Sequence, residues 1–224
     1  MNPPFVVFDG AGPIMAIAIH AGHSLRPDIA DRMALDEATR LGEEDPYTDH
    51  LTQVVSLGSV VDRSRFEVDF NRPREEAIYL TADQAWGYDL WLIPLDDETV
   101  AISLDIYDWF YQEMAQRLDA MAVDGPLLVL DIHSYNHRRA GPDSPPADVA
   151  ANPDVNIGTG SLDRLPWASL VDRFAGDLQA ALPPTATVGE NVRFKGGYFS
   201  QWVNERYQGR GCALALEFKK TFID

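Results

Sequence analysis

The chain predicts a three-layer α/β/α fold with a mixed, mostly parallel central sheet, and three features of the sequence point to it. Near-continuous apolar runs at residues 14–19, 127–132 and 212–216 have the length of strands buried on both faces. Residues 97–121 and 167–182 instead place apolar side chains at three- and four-residue intervals, the spacing of helices packed along one side. Strand and helix alternate along the chain, which implies a parallel or mixed sheet covered on both faces. Composition agrees with a single domain over residues 1–224: 46% of residues are hydrophobic and 24% charged, with no linker or repeat.

Taken in order, residues 5–8 read as a short strand closed by the turn residues Asp9-Gly10-Ala11-Gly12-Pro13, and residues 14–19 as the first core strand. Pro27 suits the first turn of a helix whose apolar face carries Ile29, Met33 and Leu41. The run Glu43-Glu44-Asp45-Pro46 ends that stretch, and a second helix is expected through Leu51, Val54 and Val55. Val60 to Phe70 alternates polar and apolar residues as a strand exposed on one face does, and stops at Asn71-Arg72-Pro73. The longest helix, 97–121, is expected to lie on the sheet through Ile102, Ile106, Trp109, Phe110, Met114, Leu118 and Met121. Gly125-Pro126 ends it before the strand at 127–132. A loop rich in Pro and Asp fills 136–153, a length usually kept for function. A short strand at 154–158, a helix at 167–182 and a last strand at 212–218 complete the reading.

Charge and cysteine narrow the function classes. A formal net charge of -17 argues against nucleic acid or an anionic membrane as partner, since both need a basic face, but a local group of arginines can still bind a small anion. The lone Cys212 excludes an intrachain disulfide, fits a reducing compartment and, inside an apolar run, reads as a buried structural thiol. With neither a signal segment nor an apolar run of about 20 residues, a soluble cytoplasmic protein is expected.

Three strands each end on a side chain able to bind a metal or move a proton: 14–19 at His20, 127–132 at His133, and 212–216 at Glu217. Ligands of α/β sheets bind at such carboxyl ends. His20 and His23 form a His-x-x-His pair within reach of one ion, and neutral imidazole suits Zn²⁺ in a tetrahedral site with one open position. Alone, the pair reads as loop residues bonded to backbone; His133, arriving from a separate strand, turns the reading toward a metal site. Glu43, Glu44, Asp45 and Asp49 could complete the set, although three of the four read as a solvated helix boundary. Asp131, two residues before His133, shares its strand face and can orient it. Arg65 and Arg72 can fork a carboxylate, and Asn71-Arg72 at a strand end is the stronger anion-binding candidate. Glu217 is either buried at a cost or aimed into a cleft as a general base. His137 reads as a solvated loop residue.

The order of these pieces resembles the N-formylglutamate amidohydrolase family, which is related in fold to zinc carboxypeptidases and to the aspartoacylase and succinylglutamate desuccinylase group. The matching segments are His20-Ala21-Gly22, Asp45 ahead of Leu51, Ser64-Arg65 through Asp69-Phe70-Asn71-Arg72-Pro73, and Asp131-Ile132-His133-Ser134. They continue with Asp154-Val155-Asn156-Ile157-Gly158, Phe194-Lys195-Gly196-Gly197-Tyr198 and Leu216-Glu217, and so cover the chain from about residue 14 to its end. The resemblance implies a phosphorylase/hydrolase-like fold and one Zn²⁺ held by His20, His133 and a third ligand. Zinc carboxypeptidases place a Glu three residues after the first His, where this chain has His23. Relatives closer to the formylglutamate enzymes use an acid from the following helical region, where Asp45 stands. His23 is the first choice here and Asp45 its substitute. The same resemblance implies that Arg65 polarises the scissile carbonyl, Asn71 and Arg72 hold the substrate carboxylate, Glu217 is the base, and Lys195 and Tyr198 line the pocket. The implied activity is hydrolysis of a small anionic N-acyl amino acid such as N-formylglutamate. A carboxypeptidase-like or aspartoacylase-like zinc hydrolase of another substrate, and an inactive binding relative, are the other readings; a homo-oligomer is compatible with each. The chain is shorter than typical members, and its 136–153 loop bears on which acyl group is accepted.

Overall fold

The structure, a computed structural model, describes residues 3–138 and 144–221. Its seven strands are β1 (Phe5–Phe8), β2 (Ile14–Ala18), β3 (Leu57–Val61), β4 (Leu127–Tyr135), β5 (Val155–Gly158), β6 (Val188–Glu190) and β7 (Gly211–Lys219). They form one sheet in the order β1-β3-β2-β4-β7-β5-β6. The four central strands β3, β2, β4 and β7 run parallel, β1 and β5 pair antiparallel at the two sides, and β6 runs parallel to β5. The expected mixed, mostly parallel sheet is therefore present.

Among the described residues there are six α-helices, α1 (Pro27–Ala30), α2 (Glu37–Glu43), α3 (Thr48–Thr52), α4 (Asp97–Asp124), α5 (Arg164–Ala181) and α6 (Tyr198–Arg206). The two-residue period of the strands sorts the core into two layers. Met15, Ile17, Val129 and Ala213 pack with Phe110, Met114 and Leu118 of α4 and Phe199 and Val203 of α6. Their neighbours in sequence, Ala16, Leu130, Leu214 and Leu216, pack on the opposite face with Val171 and Phe174 of α5. Cys212 is buried and unpaired by disulfide, and burial pushes its thiol up to about 12, in keeping with a structural role. Among the described residues no helix is long and apolar enough to cross a membrane.

The structure departs from the sequence reading in five places. The strand expected over 60–70 stops at Val61, because the polar residues of the alternation do not face water. Ser64, Glu67 and Asp69 are all buried, and the segment folds into turns that satisfy them: Glu67 N–H donates to Ser64 O, Arg26 N–H to the Glu67 carboxylate, and Asn71 N–H to that of Asp69. The helical stretch from Pro27 breaks after Ala30, where Met33 leaves to bridge Trp91, and resumes at Glu37 capped by Asp36; Leu41 stays exposed. The following helix stops at Thr52, short of Val54 and Val55. On α4, Ile102 and Trp109 are exposed, and Thr99, Ser103 and Tyr107 are buried in the face that packs inward. Strand β6 and helix α6 were not anticipated, since short elements beside Gly196-Gly197 carry little pattern. Of the expected 136–153 loop, residues 139–143 lie outside the described residues.

Phe110 is the point where the α4 layer meets the sheet: it is fully buried and its ring lies 4.4 Å from Phe70, 5.4 Å from Phe5 and 5.9 Å from Phe199. Phe110→Ala is expected to destabilise the fold by about 3–5 kcal/mol in equilibrium denaturation, through lost burial plus a cavity that its neighbours only partly close.

Candidate active site

Parallel strands bring their carboxyl ends to one edge, and the register makes two of the candidates immediate neighbours. His133 of β4 lies directly across from Glu217 of β7. His20 follows β2, which pairs with β4 on its other side. Asp45 comes from the loop after α2, brought in by a hydrogen bond of 2.9 Å from its N–H to His20 O. His20, Asp45 and His133 are buried, and one ligand atom from each lies within 4.8 Å of the others.

The orientation of the two imidazoles is informative. The rings stand edge to face with centroids 5.0 Å apart. The Nδ1 atoms of His20 and His133 lie 3.5 Å and 3.0 Å from Asp45 Oδ2. The outward nitrogens are held from behind: His20 Nε2 donates to Asp69 Oδ1 at 2.8 Å and His133 Nε2 to Asp131 Oδ1 at 2.9 Å. An ionised carboxylate only accepts, so each ring donates through Nε2 to Asp69 or Asp131 and turns Nδ1 toward Asp45; the Nδ1 edges face the shared space, and it is there that a cation would replace the proton. Asp131 is fixed in turn by Ser200 Oγ of α6, at 2.7 Å. Burial pushes the Asp45 carboxyl up, but hydrogen bonds from His133 and His20 and the charge of Lys220 outweigh that and hold it well below the usual carboxylate range. Burial alone would lower the pKa of His133; Asp131 and Asp45 more than reverse it and drive it well up. The site thus calls for positive charge at its centre.

Glu217 lines the same cleft, and among the described residues its carboxylate makes no hydrogen bond. Burial raises its pKa to about 7, His133 and Arg65 pulling down against Asp45 and Asp131. A carboxyl tuned there can take a proton and give it back near neutrality. Arg65 donates to Asp69 Oδ2 at 2.8 Å, lies 4.8 Å over the Trp86 ring, and keeps its Nε buried without a partner. Asp69 also accepts from Tyr79, so one carboxylate ties His20, Arg65 and Tyr79 together. Asn71 accepts from Phe199 N–H at 3.0 Å through Oδ1 and lies so close to Gly197 that a Cβ there would be 2.2 Å from it. Gly196, in the left-handed region at φ 102°, turns the chain so that Lys195 reaches the cleft, and Lys195 O is held by Gly160 N–H at 2.7 Å.

His20, Asp45, His133, Arg65, Asn71, Lys195 and Glu217 all line one cleft of about 260 Å³. The structure does not bring His23 into it. The chain turns away after His20 where Ser24 bridges Arg63, and His23 instead meets Glu44 Oε2 at 2.5 Å and Arg40 at 3.1 Å, facing a separate hollow. Asp45 stands where His23 was the first choice. Arg72 is also outside the cleft, 5.5 Å over the Tyr79 ring and 3.7 Å from Glu76, and Tyr198 starts α6 with its ring 6.1 Å from Tyr111. The acidic run is less solvated than expected, since both Glu44 and Asp45 are buried, and His137 is buried too. The sequence pattern alone assigns no role to Asp69 or Lys220. Asp69 had one visible signal, its place four residues after Arg65, and Lys220 had none.

Asp69→Ala would leave the Arg65 guanidinium enclosed without its counter-charge. It is expected to lower stability by about 3–5 kcal/mol, read as a fall in the denaturant midpoint.

A model of the N-formylglutamate amidohydrolase family matches residues 12–223. The structure superposes with an N-formylglutamate amidohydrolase from Ralstonia eutropha JMP134 at a TM-score of 0.75 and 16% identity, over 98% of this chain and 86% of that one. It superposes with a gene product of Agrobacterium tumefaciens at a TM-score of 0.71 and 16% identity, over 99% and 87%. No curated protein sequence matches the chain.

Proposed function

The chain belongs to the N-formylglutamate amidohydrolase family, and from that premise we propose that it hydrolyses the amide of a small N-acylated acidic amino acid, N-formylglutamate foremost, using one zinc ion. The observation that carries the reading is the pair of imidazoles pinned from behind by Asp69 and Asp131 and turned onto a buried Asp45. Two imidazole nitrogens and one carboxylate oxygen, with a cleft alongside, match the three-ligand set of catalytic zinc sites. An ion held by His20, Asp45 and His133 would polarise the scissile carbonyl and make water more acidic.

The remaining chemistry falls to the side chains. Glu217 takes a proton from the attacking water and delivers it to the departing nitrogen, so that amide and water become a carboxylic acid and a free amine. Arg65 donates to the oxygen on which negative charge grows, and its stacking on Trp86 and pairing with Asp69 hold it in place beforehand. Asn71 and Lys195 bind the substrate carboxylate. A cleft of about 260 Å³ suits a small molecule better than a peptide. Cys212, buried and free, suits a cytoplasmic setting.

Purified protein is expected to carry about one zinc per chain, lost in His133→Ala, by elemental analysis. Glu217→Gln should keep the metal and lose roughly 10²- to 10⁴-fold in kcat on N-formylglutamate; wild-type turnover in that variant would remove Glu217 as the base. Lys195→Met is expected to raise KM with kcat little changed, as for a group that binds ground and transition states alike. Equal hydrolysis of formylated amino acids and C-terminal peptide bonds would argue for a carboxypeptidase instead.

A further inference from the structure

Asp45 differs from His20 and His133 in coming from the loop after a helix rather than from a strand end, so something must fix its backbone. Lys220, the first residue past β7, is 1% exposed. Its N–H donates to Tyr135 O at 2.9 Å, continuing the β4–β7 ladder, while its Nζ donates to Gly42 O at 2.9 Å and to Glu44 O. The same ammonium lies 3.7 Å from Asp45 Oδ1. The segment that presents Asp45 is thereby tied, on both sides of Glu43, to the strand that carries Glu217 three residues earlier. Asn136 Nδ2 adds a second donor to Gly42 O at 2.8 Å, but only Lys220 also reaches Glu44 O and the Asp45 carboxylate. Burying an ammonium is expensive and a well-packed apolar residue would often serve stability as well. Its burial here, with each bond directed at the Asp45 loop or β4, fits a requirement for position.

We propose that Lys220 is a positioning residue that locks the Asp45 loop onto the end of β7, so that the third metal ligand and the base keep a single geometry. This rests on the metal-site reading above. The arrangement resembles in kind the groups that orient ligands from behind, except that it acts on the ligand's backbone as well as on its charge.

The test is zinc affinity, measured by competition with a chromogenic chelator, alongside the unfolding temperature of the metal-free protein. Lys220→Met is expected to weaken zinc binding by at least about tenfold while the metal-free protein still unfolds cooperatively. A purely structural lysine would lower the unfolding temperature and leave zinc affinity per folded molecule at the wild-type value, which overturns the proposal. Should K220M fail to fold, Lys220→Gln is judged by the same tenfold threshold. Wild-type protein that binds no zinc would instead sink the metal reading, and the role of Lys220 with it, whereas zinc bound equally by wild type and K220M sinks the Lys220 role alone.

Discussion

The parallel register of β4 against β7 is the constraint on which the rest of the molecule depends. Nine consecutive residue pairs, from Leu127 with Gly211 to Tyr135 with Lys219, put His133 beside Glu217. A slip of one residue would turn Glu217 toward the opposite layer and bring Phe218 or Leu216 in its place. The small residues in that ladder matter for the same reason. Gly211 lies against Leu127, where a Cβ would be 2.6 Å from the leucine side chain, so any larger residue there would force Leu127 to shift at the start of the ladder. The core on both faces then defends the alignment, since any shift would expose Leu214 and Leu216 or bury polar groups in their stead.

Around that aligned edge the structure concentrates carboxylates that it does not leave unopposed. Asp69 serves His20, Arg65 and Tyr79 at once; Asp131 serves His133 and Ser200; Asp45 faces both imidazoles and Lys220. Each buried charge is thus part of a chain that ends on another element, which makes the constellation rigid. The elements joined in this way are β2, β4, α6, the 62–73 segment and the strand end at Lys220. Fold stability and site geometry are consequently hard to separate by mutation of the acids, and zinc affinity and turnover have to be read together with unfolding.

The sequence was legible where side chains follow a strict period and a strand ends. His20, His133 and Glu217 could be placed on one edge because their strands are nearly all apolar, and Asp131 could be assigned to the face of His133 by counting two. Legibility failed where polar residues are buried. The alternation over 60–70 looks like a half-exposed strand, yet Ser64, Glu67 and Asp69 are interior groups satisfied by turns, a possibility that periodicity cannot distinguish from exposure to water. The same blindness makes His23 a natural partner for His20: adjacency in sequence suggests it, whereas a backbone hydrogen bond from Asp45 to His20 brings a residue from another segment beside the two imidazoles. Arg72 shows the converse limit: it has the right chemistry to hold a carboxylate, but its guanidinium lies over Tyr79 and 3.7 Å from Glu76, outside the cleft that the neighbouring Asn71 lines.

A chain with a net charge of -17 can take the anionic substrate proposed above only by local arrangement. At physiological salt the Debye length is about 8 Å, so the acidic outer surface is largely screened from a molecule already inside the cleft. Within it, the charge of Arg65 is matched by Asp69 and that of Lys220 by Asp45, while Lys195 has no acidic partner among the described residues. Under the proposed reaction this fixes the substrate's direction: its carboxylate lies toward Lys195 and Asn71, and its acyl group toward His20, Asp45 and His133. On that proposal the Gly196-Gly197 turn has a chemical purpose, because any side chain at Gly197 would displace Asn71, the polar group that would share the substrate carboxylate with Lys195.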